Sequence, residues 1–142
     1  MVQELSPSLY ETRLQRKMDF GHTFSLAIDA ASGYDIMHGE AVAIDVLFSS
    51  YLSLQRNLLS AWEFDRIVAL YKSLDLPMWS SCITPELFWG GVRERVMHRD
   101  GKQLIPIPTT IGVCDFINDL SWDEVHSAVK ALEGDILDSE AV

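Results

Sequence analysis

The sequence predicts a mainly α, multihelical domain that carries one small β-hairpin. Apolar residues recur at helical spacing along most of the 142 residues, and a single segment, "IPIPTTIGVCDFI", combines β-branched residues with the prolines of an edge strand. Hydrophobic residues make up 48% of the chain and charged residues 23%, a balance typical of a folded domain rather than a disordered one. A chain of this length is long enough to bury a sizeable core.

The charge of the chain limits the partners that it can take. Its formal net charge is −10, which disfavours non-specific nucleic-acid binding because that binding needs Lys and Arg to neutralise phosphates. No apolar run approaches the roughly 20 residues that span a bilayer, and the N-terminus does not resemble a signal peptide. The two cysteines, Cys82 and Cys114, are expected to be reduced thiols. We therefore expect a soluble cytoplasmic protein that binds neither nucleic acid nor a membrane.

Two helices are predicted in the first third of the chain. The first covers "DFGHTFSLAIDAAS" and is interrupted at Gly33. The second runs from His38 to Gln55 and is apolar on nearly every side, which is typical of a helix at the centre of a bundle.

Capping residues define the next two helices. Ser60 and Glu63 form a capping box at the start of the third, and Pro77 lies just past its end. For the fourth helix, Thr84 is the candidate N-cap and Pro85 occupies the first helical position.

The C-terminal part is predicted to hold the hairpin and a last helix. A turn at Gly101 precedes the hairpin. Ser121 is expected to cap the final helix, "LSWDEVHSAVKALEGD", and Gly134 to lie near its end. We therefore divide the chain into a lead-in segment (1–17), a helical domain (18–134) and an acidic tail (135–142).

His22 and His38 occupy similar settings, each beside a glycine at the start of a predicted helix. Imidazoles on two crossing helices can converge on a first-row metal ion, and catalytic zinc commonly takes three protein ligands. Spacing alone leaves the commoner explanation open, in which each histidine is a helix cap or a satisfied polar group in the core.

Three segments in this order, "DFGHTFSLAIDAAS", "HGEAVAI" and "HRDGKQLIPIPTTIG", resemble the C-terminal domain of the dehydroquinate synthase-like sugar phosphate cyclases. The resemblance covers roughly residues 3–132. It implies the dehydroquinate synthase-like fold, with His22 and His38 as ligands of Zn²⁺ or Co²⁺. It also implies that Lys102 binds an anionic part of the substrate, although a solvated turn lysine is the commoner fate of such a residue.

The resemblance implies a reaction with several steps at one site, in which His22, Asp19 and Lys102 are the candidate catalytic residues. NAD⁺ transiently oxidises a ring hydroxyl, phosphate is eliminated, the carbonyl is reduced, and an intramolecular aldol step closes the carbocycle. The metal would polarise the hydroxyl or carbonyl that is converted. Glu40, close to His38, is a candidate for orienting that ligand, or an acid favoured by the helix dipole.

The chain departs from dehydroquinate synthase at three places. Leu26 stands where that enzyme has a second histidine, Asp19 replaces an asparagine, and Gln15 replaces the arginine that grips the substrate carboxylate, with Arg16 adjacent. Because a carboxylate is best bound by a bidentate cation, these changes favour a substrate rich in hydroxyls. Asp19, Lys102, Gln15 and Arg16 are therefore the candidate substrate-binding residues.

The same segment, "QELSPSLYETRLQRKMDFGHTFS", looks closer to 2-epi-5-epi-valiolone synthase and desmethyl-4-deoxygadusol synthase. The expected substrate is therefore sedoheptulose 7-phosphate, which has no carboxylate. The alternatives are 3-dehydroquinate synthase proper, a fragment of an iron-type alcohol or glycerol dehydrogenase, and a non-catalytic helical module for binding or dimerisation.

Two features of the family are not found in this sequence. It lacks the glycine-rich NAD-binding domain that precedes the helical domain, and neither Glu4 nor Glu11 has the lysine three residues later that marks the third metal ligand. We therefore expect a C-terminal half, whether from a truncated gene, a split gene or an isolated domain. Its partners would be the NAD-binding domain or a second polypeptide, a sugar phosphate, and a second copy in a homodimer. Alone it is expected to be inactive.

Overall fold

A computed structural model describes residues 23–33, 38–98, 101–110 and 112–140, and within them the domain is mainly α with one hairpin. None of the helices in these ranges is long and apolar enough to cross a bilayer. The elements, in chain order, are α1 (Ser25–Ala31), α2 (His38–Gln55), α3 (Ala61–Ser73), α4 (Pro85–His98), β1 (Ile105–Thr110), β2 (Val113–Ile117) and α5 (Trp122–Glu140).

Helix α2 is the centre of the domain, as its sequence predicts. It contacts α1, α3, α5 and β1, and α4 packs in turn against α1 and α5. Three phenylalanine rings join α2 to its neighbours, because the Phe48 ring lies 5.1 Å from that of Phe24 and 4.6 Å from that of Phe88. All three rings are fully buried, so the start of α1, the middle of α2 and the first turn of α4 share one core.

The predicted helix starts are confirmed where a cap bond defines them. The Ser60 hydroxyl accepts from the Glu63 amide at 3.1 Å, and the Glu63 carboxylate accepts in return from the Ser60 amide. The Thr84 hydroxyl accepts from the amide of Leu87 at 3.1 Å. Ser121 does the same for Glu124 at the start of α5.

The hairpin is also confirmed. β1 and β2 pair antiparallel with Ile105 opposite Ile117, and the register shifts between Pro108 and Thr110. Ile105 and Ile107 are fully buried, so the short ribbon is stable because one strand is held against the helices.

The prediction that α5 ends near Gly134 is wrong. The helix continues to Glu140, and the boundary expected at residue 134 lies inside it. The apolar stripe formed by Val129, Leu132 and Ile136 runs past the glycine. A glycine inside a helix costs about 1 kcal/mol relative to alanine, and burial of an isoleucine side chain outweighs that cost at roughly 1.5–3 kcal/mol.

Candidate functional site

Of the predicted site residues, His38 and Lys102 lie in the described part of the chain. His22, Asp19, Gln15 and Arg16 lie outside the described residues. The described part of the chain begins at Thr23, the residue after His22.

His38 is the first residue of α2, and its ring contacts a buried carboxylate. The Nδ1 atom of His38 lies 2.9 Å from Oδ2 of Asp29, which belongs to α1. An ionised carboxylate only accepts hydrogen bonds, so in this contact a neutral ring carries its proton on Nδ1 and its lone pair on Nε2. The His38 side chain is 54% exposed and the Asp29 side chain 9%. This arrangement fits a divalent metal ion, because ligating histidines usually donate the other ring N–H to such a partner.

The segment that follows His22 is held by the middle of α2. The carboxylate of Asp45 accepts from the amides of Phe24 at 2.5 Å and of Ser25 at 2.9 Å, and also from the Ser49 hydroxyl at 3.2 Å. Asp45 is completely buried. It satisfies two of the amides at the N-terminus of α1, which have no partner within that helix. Helix α2 therefore both carries His38 and fixes the backbone beside His22.

The negative charge of Asp45 also affects the pKa of a tyrosine on α3. The hydroxyl of Tyr71 donates to the carbonyl of Ala43 at 2.5 Å, so it joins α3 to α2. Burial, and then the negative charge of Asp45, raise the pKa of Tyr71 to about 12.

Helix α4 approaches the same segment through a glycine. A Cβ atom added to Gly91 would lie 3.0 Å from the backbone oxygen of Thr23, whereas one added to the neighbouring Gly90 would meet nothing within 4 Å. The close approach of α4 to residue 23 therefore requires glycine at position 91.

Lys102 is exposed, and a buried arginine holds the chain that follows it. Arg95 of α4 is 7% exposed, and its Nε donates to the Gln103 carbonyl at 2.9 Å while an Nη donates to the Leu104 carbonyl. The amide of Gly101 donates to the Val96 carbonyl at 3.0 Å. These bonds attach both sides of Lys102 to α4, so its ammonium extends from a fixed turn.

Two further predicted positions are exposed. Leu26, which stands where dehydroquinate synthase has its second histidine, is 65% exposed on α1. Glu40 is exposed in the first turn of α2. The carboxylate found at the His38 ring belongs to Asp29, a residue that the sequence analysis did not select.

Within the four described ranges, no group of three or more His, Cys, Asp or Glu side chains could hold a metal ion by itself. The three positioning groups found by the structure, Asp29, Asp45 and Arg95, had one sequence signal in common. Each is a charged residue in a helical segment. Asp29 and Asp45 also have apolar neighbours in the sequence, where a charge is costly to bury, whereas Arg95 stands in the charged run "RER".

Comparisons with known proteins identify relatives of this chain. The family model described as 3-dehydroquinate synthase C-terminal matches residues 2–102. The chain is 41% identical over 128 residues, 90% of its length, to a 2-epi-5-epi-valiolone synthase from Actinoplanes sp.. It is 32% identical over 123 residues, 87% of its length, to a demethyl-4-deoxygadusol synthase from Trichormus variabilis. It spans about a third of either relative, 32% of the first and 30% of the second.

A solved structure has the same fold. The 2-epi-5-epi-valiolone synthase from Streptomyces hygroscopicus subsp. jinggangensis, solved with NAD⁺ and Zn²⁺ bound, superposes with a TM-score of 0.85 at 39% sequence identity. The match covers 94% of this chain and 37% of that protein.

Proposed function

Because the chain belongs to the 3-dehydroquinate synthase C-terminal family, we propose that it forms the metal- and substrate-binding part of a sugar phosphate cyclase. One observation carries the proposal: a half-exposed His38 is oriented by a buried carboxylate, in a chain that is similar to a 2-epi-5-epi-valiolone synthase solved with NAD⁺ and Zn²⁺. The complete enzyme would eliminate phosphate and close a carbocycle.

In this proposal His22 and His38 hold Zn²⁺ or Co²⁺, with a further ligand from outside this chain. When bound, the metal acts as a Lewis acid toward the hydroxyl or carbonyl that is converted. NAD binds mainly to an N-terminal domain, which lies in the two thirds of the relatives that this chain does not span. Without that domain we expect no turnover.

The chain's own residues would bind and orient the substrate. Lys102 offers its ammonium to an anionic group, and the bonds of Arg95 to Gln103 and Leu104 limit the motion of that turn. Asp19 would accept hydrogen bonds from hydroxyls, and Gln15 and Arg16 belong to the same predicted substrate surface.

We infer a substrate without a carboxylate, namely sedoheptulose 7-phosphate, rather than the acidic substrate of dehydroquinate synthase. Support comes from Leu26, whose exposed apolar side chain can neither carry a proton nor donate a hydrogen bond. Gln15 supports the same choice because it has no charge with which to bind a carboxylate.

The proposal also includes a homodimer for the complete enzyme and a cytoplasmic location. The location is supported by Cys82 and Cys114, neither of which is in a disulfide, as expected of a reducing compartment. Sedimentation of the reconstituted enzyme would test the dimer.

The test is reconstitution of the chain with the N-terminal part of the Actinoplanes sp. 2-epi-5-epi-valiolone synthase. Zinc binding is measured by calorimetry, and phosphate release is measured with NAD⁺ and sedoheptulose 7-phosphate. We expect tight zinc binding and phosphate release from the pair of polypeptides, with both lost in His22→Ala and His38→Ala. His126→Ala is the matched control, because His126 is exposed on α5 and contacts the Trp122 ring.

Other outcomes would identify the alternatives. Preference for a sugar phosphate that carries a carboxylate would indicate dehydroquinate synthase, and NAD-dependent oxidation of a simple alcohol would indicate an iron-type dehydrogenase. If zinc does not bind and both histidines can be replaced without effect, the chain is a non-catalytic helical module.

A further inference from the structure

The carboxylate of Asp29 is buried, which is unfavourable unless it has a specific partner. The whole residue is only 6% exposed, and its neighbour in α1, Ile28, is fully buried. Removing a carboxylate from water costs several kcal/mol, on the order of the stability of a whole domain, unless hydrogen bonds or charges compensate. One of its oxygens contacts His38, and the other, Oδ1, has no hydrogen-bond partner within the described part of the chain.

The contact with His38 is asymmetric in exposure. The carboxylate is buried, whereas the imidazole is 54% exposed. Since the two residues are nine positions apart and lie on separate helices, the bond also fixes the start of α2 relative to α1. A carboxylate that accepts from one ring N–H is a common partner of a metal-ligating histidine, because it fixes the tautomer and the orientation of the ring.

We propose that Asp29 is the positioning residue of His38: its carboxylate accepts the Nδ1–H, fixes the tautomer and rotation of the ring, and leaves Nε2 to bind a divalent cation such as Zn²⁺. This inference rests on the proposed function for the identity of the ion. The tautomer and the orientation depend only on the contact itself.

A purely structural role predicts something different. If Asp29 only stabilised the α1–α2 connection, its replacement would lower the free energy of unfolding without changing the zinc affinity of the molecules that remain folded. If it positions His38, replacement changes the tautomer and weakens zinc binding even in molecules that remain folded.

The first measurement uses no metal. The chain is labelled with ¹⁵N-histidine, and the signals of its four histidines are recorded by NMR, with His38 assigned by its loss in His38→Gln. We expect His38 to be protonated at Nδ1, and Asp29→Ala to shift the proton toward Nε2. Asp65→Ala on the exposed side of α3 is the control and should leave the His38 signals unchanged.

The second measurement titrates Zn²⁺ into the reconstituted pair of polypeptides. Loss of a hydrogen-bond partner of a metal ligand typically weakens binding by roughly 10–100-fold, so Asp29→Ala should raise the zinc dissociation constant by that factor. Asp29→Asn should fall between Ala and the parent, because its amide oxygen still accepts the Nδ1–H but has no charge. If the Ala variant fails to fold, the zinc affinity of Asp29→Asn is compared with that of the parent instead.

The two measurements separate the proposals. A folded Asp29 variant with the parent's tautomer and zinc affinity would overturn the positioning role. If the parent itself binds no zinc while Asp29→Ala changes the tautomer, the proposed function fails and the positioning of His38 stands.

Discussion

At the level of single residues, three buried charged side chains contact His38 or the described backbone that follows His22 and Lys102 in sequence. Asp29 contacts the ring of His38. Asp45 accepts from Phe24 and Ser25, just after His22, and Arg95 donates to the two carbonyls that follow Lys102. Buried charges are costly unless they are hydrogen bonded, and all three of these have hydrogen bonds in the structure. In each case the partner belongs to a site residue or to the backbone beside it, so the charges orient the site.

Tyr71 gives a prediction about alkaline stability. Its pKa is raised by burial and by Asp45 from 10.0 to about 12. Between these values the unfolded chain binds fewer protons than the folded one, so the free energy of unfolding falls as pH rises. The loss should be on the order of 2 kcal/mol by the upper end of the range.

Urea unfolding at a series of pH values from neutral into this range would measure it. In Tyr71→Phe the alkaline slope should be smaller, although stability at neutral pH falls by about 1 kcal/mol because the bond to the Ala43 carbonyl is lost. An alkaline slope equal to that of the parent would show that the raised pKa does not control alkaline stability.

At the level of secondary structure, α2 makes contacts that position the site or the hairpin along its whole length. His38 lies at its first turn, Asp45 caps α1 from its middle, and near its end the hydroxyl of Ser53 donates to the Pro108 carbonyl of β1. Helix α4 completes the arrangement because Gly91 lets it approach Thr23. The site therefore depends on three helices whose spacing is set by one capping carboxylate and one glycine.

The pair Gly90 and Gly91 offers a matched test of that spacing. Gly90→Ala should raise the free energy of unfolding by up to about 1 kcal/mol, since a Cβ there meets open space and alanine favours the helix. Gly91→Ala should instead lower it by roughly 1–3 kcal/mol, because the Cβ meets the Thr23 backbone, which Asp45 prevents from moving away.

Denaturant unfolding of both variants and of the parent measures the two effects. The Gly91→Ala variant should also bind zinc more weakly in the reconstituted pair, because residue 23 adjoins His22. Equal stability of the two variants would contradict the close-packing explanation.

At the level of the whole domain, the C-terminal helix α5 is held to the end of α2 by ion pairs as well as by the packing of its apolar stripe. Arg56, just after α2, donates to both carboxylate oxygens of Glu124 at 2.6 and 2.7 Å and to Asp119 at 2.8 Å. The guanidinium lowers the pKa of Asp119, and the Glu124 hydrogen bonds raise the pKa of Arg56. This bidentate contact connects the end of α2 to the first turns of α5.

Arg56→Met should therefore lower the free energy of unfolding by roughly 1–2 kcal/mol, because it removes hydrogen bonds between charged groups that are only partly exposed. Arg66→Met is the control, since Arg66 lies over the exposed Trp62 ring on α3. A double-mutant cycle with Glu124→Gln isolates the pair, and a coupling energy near zero would contradict the role given to it.

Much of the architecture could be predicted because its signals are local. The bounds of α2, the capping box at Ser60, the cap at Thr84 and the hairpin depend on residues within a few positions of one another, and all are confirmed. The end of α5 could not be read locally, because the turn signal of Gly134 is outweighed by burial of Ile136 against the rest of the domain.

The sequence alone determined the fold class, the family and the candidate site residues, because motifs such as "HGEAVAI" and helix caps consist of residues that are close together in the sequence. Only the tertiary structure decided that Asp29, Asp45, Gly91 and Arg95 support the site. Asp29 contacts a residue 9 positions away in sequence, and Asp45 contacts residues 20 and 21 positions away. Gly91 lies against a residue 68 positions away, and Arg95 contacts residues 8 and 9 positions away. The reason is physical: a charge or a missing side chain acquires its role from what packs against it, and that contact exists only once the helices have come together.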